Sequence, residues 1–262
     1  MISPTLALTR RELVRFLRQR NRVVGAFATP IVFWLLIGFG MGRSFSSPGA
    51  AADGNYLHYF FPGTILMILL FTAIFSTISV IEDRREGFLQ GVLVAPVGRS
   101  AIVGGKVLGG AILATGQAIL FLLLGWATGI AALSLLSLAV SVVVMFVIAV
   151  ALTALGLCLA WPMSSTQGFH ALMNLLLMPM WFLSGAMFPL RDDTPLVLKA
   201  VMLSNPLGYG LAWLQRVLAP NGGALGLPVR WQTGMGVTLG FAAAMCAAAL
   251  LIARTRKAND AT

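Results

Sequence analysis

From Val107 to Leu190 the chain contains no Asp, Glu, Lys or Arg. A water-facing domain carries roughly one charged residue in four, so this stretch cannot surface a soluble fold. The whole chain shares the bias: 58% of it is hydrophobic, 10% is charged, and the mean hydropathy is +0.90. Those values exclude a soluble enzyme, a disordered chain and a coiled coil. A bilayer's hydrocarbon core takes about 20 apolar residues per helix, so the uncharged run is several membrane spans joined by turns. The expected class is all-α, a polytopic membrane protein.

Turn-formers divide the run. Gly125, Gly129 and Ser134 mark one break, and Trp161-Pro162 with Ser164, Ser165 and Gly168 mark another. Spans are therefore predicted at 107–126, 133–160 and 169–188. Two precede them, 23–42 between Arg22 and Arg43, and 59–81 ending at Glu82. One follows, 234–253, stopped by Arg254, Arg256 and Lys257. The count is six transmembrane helices, forming a domain over 23–253 with a loop at 82–106, a segment at 189–233 and a tail at 254–262.

Charge sets the expected orientation. The chain carries 18 Lys and Arg against 8 Asp and Glu, and the bilayer accounts for that excess without nucleic acid. Basic residues gather in residues 1–22, in loop 82–106 and in the tail. Six spans put all three on one side, so both termini are predicted to be cytoplasmic. Arg11, Arg15, Arg18 and Arg22 fall at i, i+4, i+7 and i+11, opposite Leu6, Leu13, Phe16 and Leu17. Residues 1–22 thus read as a basic amphipathic helix lying against membrane lipids, or more simply as a basic flank that sets topology. Thr9-Arg10-Arg11 resembles an export signal, but a full-length span and five more follow it.

No predicted span contains a carboxylate, so none offers an obvious site for a coupling ion. Gly104-Gly105-Lys106 is followed by Val107 instead of the Ser or Thr of a phosphate-binding loop. Cys158 and Cys246 sit in apolar runs and read as small hydrophobes. Met163, Met173, Met178, Met180 and Met187 suggest membrane packing before a copper path. No metal site or cofactor is expected in this chain, and energy for uphill transport would have to come from a partner.

The informative loop begins with the charged run Glu82-Asp83-Arg84-Arg85-Glu86. An apolar stretch, Phe88 to Val94, follows and Pro96 ends it. Such a segment needs either the bilayer surface or a groove on a partner protein. Glu86-Gly87, Leu89, Leu93, Pro96, Arg99 and Gly105-Lys106 resemble the corresponding loop of the permease subunits of type-2 ATP-binding-cassette (ABC) exporters; Phe88 and Gln90 depart from the usual Thr and Glu. Leu183-Ser184-Gly185-Ala186-Met187-Phe188-Pro189, then Asn205-Pro206-Leu207 and Tyr209, resemble that family's segment between its last two spans.

The resemblance implies that Gly87–Ala95 is a coupling helix seated on a separate cytoplasmic ATPase, with Glu86, Phe88, Leu89, Gln90, Leu93, Pro96, Arg99 and Lys106 around it. Two ATPase copies would hold ATP and magnesium, and a second permease chain, identical or related, would complete the dimer. The implied location is the plasma (inner) membrane of a bacterium. The substrate would be hydrophobic, amphipathic or glycan-type. In the family the pathway lies mainly along the second and fifth spans. Here Thr72, Ser76 and Ser79 form one polar stripe, and Gln167, His170, Asn174, Met178 and Trp181 another; interhelical hydrogen bonding is the simpler explanation of such stripes, with substrate contact the other. Gly105/Gly109, Gly125/Gly129 and Gly236/Gly240 have the spacing of close helix packing, and Pro179 is expected to kink the fifth span. A non-transporting membrane scaffold or assembly factor, or a passive channel, is the alternative to an exporter.

Overall fold

The computed structural model describes residues 4–18, 20–41, 56–88, 91–92, 97–131, 134–219 and 226–255. All regular structure among them is helical. In chain order the helices are α1 (Pro4–Arg18), α2 (Arg20–Met41), α3 (Tyr56–Ser76), α4 (Ile78–Arg85), α5 (Arg99–Ala127), α6 (Leu135–Ala160), α7 (Thr166–Trp181), α8 (Leu196–Ser204), α9 (Pro206–Leu218) and α10 (Trp231–Thr255). A π-helical turn, Phe182–Ala186, extends α7.

Among the described residues, five helices are long and apolar enough to cross a bilayer: Tyr56–Arg85 (α3 and α4 end to end), Arg99–Ala127, Leu135–Ala160, Thr166–Ala186 and Trp231–Arg254. The apolar part of α2 that meets the same test of composition is shorter, Ala28–Gly40. The protein is thus an all-helical, polytopic membrane protein with five to six spans.

The span of α3 and α4 is the centre of the bundle. Of its most apolar window 83% is buried, against 17% for α10. A helix that is hydrophobic all round belongs in the interior, and α3 packs against α2, α5 and α6. Gly125 admits a close contact: a Cβ there would strike the Phe61 ring. Trp34 and Phe121 complete that cluster, with ring centroids 5.5 Å apart.

Helix ends follow local chemistry. Ser134 caps α6 in a reciprocal box with Ser137, Ser165 caps α7 through the Gly168 N–H, and Asn205 caps α9 with Pro206 at its first position, each supplying an acceptor to an orphan N–H. Gly129, at φ +74, ends α5 and lets the Ile130 N–H reach the Gly125 carbonyl at 2.9 Å.

Several expectations change. The helix that carries the third predicted span starts at Arg99, well ahead of 107, because Lys106 is paired with carboxylates and Arg99 donates to helix-end carbonyls. The fifth contains Pro179 within α7, and its sharpest backbone break falls at Gly185, at φ 85. Between the last two spans the chain forms α8 and α9, and α9 buries Leu207, Leu211 and Leu214 in the main core. Of the small-residue pairs, Gly125 packs while Gly129 is a helix cap. Gly236 and Gly240 face open space, with nothing within 4 Å of a built Cβ.

Candidate functional site

The basic end of the bundle is organised around one carboxylate. Asp83, on α4, has a side chain with no solvent exposure. It accepts two hydrogen bonds from the Arg11 guanidinium, at 2.7 and 3.0 Å, one from Arg15 at 2.8 Å, and one from the Lys106 ammonium. Lys106 also donates to Glu12 at 2.7 Å and to the Ser79 hydroxyl at 3.0 Å. Its side chain is 4% exposed and that of Glu12 8%. Burying charge is costly unless every member is paired and hydrogen-bonded, and here each is. Hydrogen bonding to Asp83 raises the Arg11 pKa above its ordinary value, although burial opposes it, so Arg11 stays charged.

This network docks α1. The contact is close because Gly105 and Gly109 of α5 lack side chains: a Cβ on Gly105 would lie 2.6 Å from Cβ of Leu8, and one on Gly109 2.8 Å from Cβ of Glu12. Arg15 reaches Glu82 at 2.9 Å and Glu86 at 3.5 Å. The arginine face of α1 therefore turns partly inward, since the exit of α4 offers it carboxylates. Arg18 is exposed; Arg22 belongs to α2, and its side chain lies outside the described residues. Leu17, 65% exposed, remains on the outer face.

Other cations at this end cap helices. Arg84 donates to the carbonyls of Trp161 and Met163 at 2.6 and 3.1 Å, and Arg85 to that of Ser164 at 3.0 Å. Arg99 donates to the carbonyls of Ala253 and Arg254. These carbonyls lie at or just past the ends of α6 and α10, where they lack helical partners and the dipole favours cations.

Of the predicted docking segment, Leu89, Gln90, Leu93 and Pro96 lie outside the described residues. Glu86 and Gly87 are exposed, and Gly87 takes φ +76. Phe88 is half-buried beneath Arg11. Arg99 and Lys106 stand within α5, at helix-capping and buried positions.

The polar stripes meet a groove of about 630 Å³ between α1, α2, α3, α4 and α7. Thr72, Ser76, His170, Asn174 and Met178 line it, with Phe16, Phe33, Phe71 and Phe75 as apolar walls and Glu82 at the basic end. Thr166, His170, Asn174 and Met178 recur every four residues along α7, a line of about 18 Å at helical rise. Three residues further, Trp181 is fully buried, its ring 5.8 Å from Phe33 and 5.9 Å from Phe60, and its Nε1 donates to Gly63 O at 2.9 Å. Thr72 donates to Gln117 of α5, so it is interhelical glue as well as lining. Ser79 is not in the groove: the helix breaks at Thr77, and Ser79 faces Lys106. Gln167 is exposed and does not line it.

Sequence reasoning missed Glu12 and Asp83 as buried partners. The signal was present: Glu12 is the single acid among the first 22 residues, on a helix otherwise rich in arginine. It also missed the aromatic walls, which hydropathy cannot separate from lipid-facing residues.

Comparison with known proteins adds a relationship. The family described as ABC-2 type transporter, ABC2_membrane, matches residues 4–218, which run from α1 through α9. The chain is also similar to "Putative transport permease ycf38" of Cyanophora paradoxa, at 26% identity over 209 residues covering 79% of this chain and 71% of that protein.

Proposed function

Since the chain belongs to the ABC-2 type transporter family as a membrane permease component, we propose that it forms one half of an ATP-driven exporter. A separate ABC ATPase, in two copies, binds ATP and magnesium and supplies the work. A second permease chain, identical or related, completes the membrane part. The segment from Gly87 to Ala95 docks on the ATPase. The groove beside Thr72, Ser76, His170, Asn174 and Met178 is this chain's share of the pathway. Its mix of aromatic walls and a few polar groups suits a hydrophobic or amphipathic substrate, or a glycan carried on an apolar anchor. The proposed location is a bacterial plasma membrane, with both termini in the cytoplasm.

The observation that supports this reading best is the family match across nearly all the helices. Purification in mild detergent from native cells tests it. A stoichiometric ATPase of roughly 25–35 kDa, about one or two domains, should co-elute. Leu93→Asp should abolish that association while leaving membrane insertion intact, because a carboxylate would be forced into an apolar cleft. Gly87→Trp is a weaker probe, since it also strains a positive-φ position. Elution alone or with a non-ATPase partner, even after crosslinking, overturns the exporter.

A further inference from the structure

The chain leaves α4 through Gly87, whose φ of +76 swings it off the helix axis and whose surroundings are open, with nothing within 4 Å of a built Cβ. Nothing packed at Gly87 itself therefore constrains the turn there. The next residue, Phe88, carries on its ring face the guanidinium of Arg11, 3.7 Å from the ring centroid. That guanidinium is itself held by both oxygens of Asp83. A planar cation gripped bidentately on its edge has a fixed face, unlike a lysine ammonium. Asp83 is locked from a third helix by Lys106. The chain of contacts thus runs from α5 through Asp83 to Arg11 of α1, and from there to Phe88.

We propose that Arg11 is a positioning residue: by holding Phe88 from the N-terminal helix, it fixes the turn the chain makes at the Gly87 hinge. Val92 and Val97 pack against the smaller apolar cluster, as does Leu8 of α1. The inference rests on the permease reading for what the segment docks onto. The geometric claim does not depend on it.

Spin labels test the geometry in the full-length chain in lipid nanodiscs, after Cys158→Ala and Cys246→Ala. One pair, at Val14→Cys and Gly91→Cys, reports the segment against α1. A second, at Val14→Cys and Ser100→Cys, reports the docking of α1 on α5. The unaltered network should give one narrow distance for each pair. Arg11→Gln and Phe88→Leu should broaden the first. Arg11→Lys should not restore it, because it lacks the planar fork, whereas Phe88→Tyr should keep it narrow. A general loss of structure would not distinguish leucine from tyrosine at position 88. If Arg11→Gln also releases α1, Phe88→Leu decides, since it leaves every ion pair intact. Unchanged distances in Phe88→Leu overturn the proposal. Where an ATPase associates with the wild-type chain, both variants should weaken it by about three- to tenfold, the size of one lost cation–π contact. If none associates, the permease reading fails while the distances still decide the role of Arg11.

Discussion

Replacing Asp83 by Asn removes one charge and leaves the shape. The arginines it binds can relax, because Arg11 is 29% exposed and Arg15 21%, and Arg15 keeps Glu82 and Glu86. Lys106 cannot: at 4% exposure its ammonium is left with Glu12 and Ser79. Breaking a buried pair by removing one partner costs about 3–5 kcal/mol. Glu12 retains part of the compensation, so the low end, about 3 kcal/mol, is expected. That cost falls on the docking of α1, since Glu12 and Arg11 belong to α1 and Lys106 to α5. Amide hydrogen exchange along α1 reads it directly: protection should fall by roughly a hundredfold, each tenfold step being about 1.4 kcal/mol. Adding Lys106→Met removes the stranded cation and should recover most of the loss. Protection within about threefold of wild type in Asp83→Asn, well below the hundredfold expected for a stranded charge, would refute the claim that this carboxylate holds α1 to the bundle.

Gly105→Ile should displace α1, because its Cβ alone would stand 3.1 Å from Thr5 O as well as striking Leu8; exchange along α1 should rise. On the same helix Gly116→Ala, with nothing within 4 Å, should stabilise by about 0.5–1 kcal/mol, seen as a higher melting temperature in detergent. Gly125→Val should cost about 1–3 kcal/mol by overpacking against Phe61, with a correspondingly lower melting temperature. Trp181→Phe should cost about 0.5–1.5 kcal/mol, the net worth of the indole bond to Gly63 O; an unchanged melt would show that the far end of the groove is not held by that bond.

Sequence alone determined the class, an all-helical polytopic membrane protein. A bilayer is a one-dimensional filter on apolar length, so runs such as 133–160 are legible without knowing what they touch, and Ser134 marks a break by purely local chemistry. The periodicity of four along α7 likewise placed His170, Asn174 and Met178 on one line before any neighbour was known. Tertiary structure decided the fate of the charges. Arg99 and Lys106 read as loop residues because an isolated charge ends a span, yet α5 continues through both, since Asp83, Glu12 and the last carbonyls of α10 neutralise or cap them. The same holds for Ser79, which the break at Thr77 turns from the groove to Lys106, and for Gly105 and Gly109, whose spacing announced close packing but not that the partner is α1. Hydrophobic length is a property of one segment. Paired burial is a property of two, and only the folded chain brings Asp83 to Lys106 and Arg11 to Phe88.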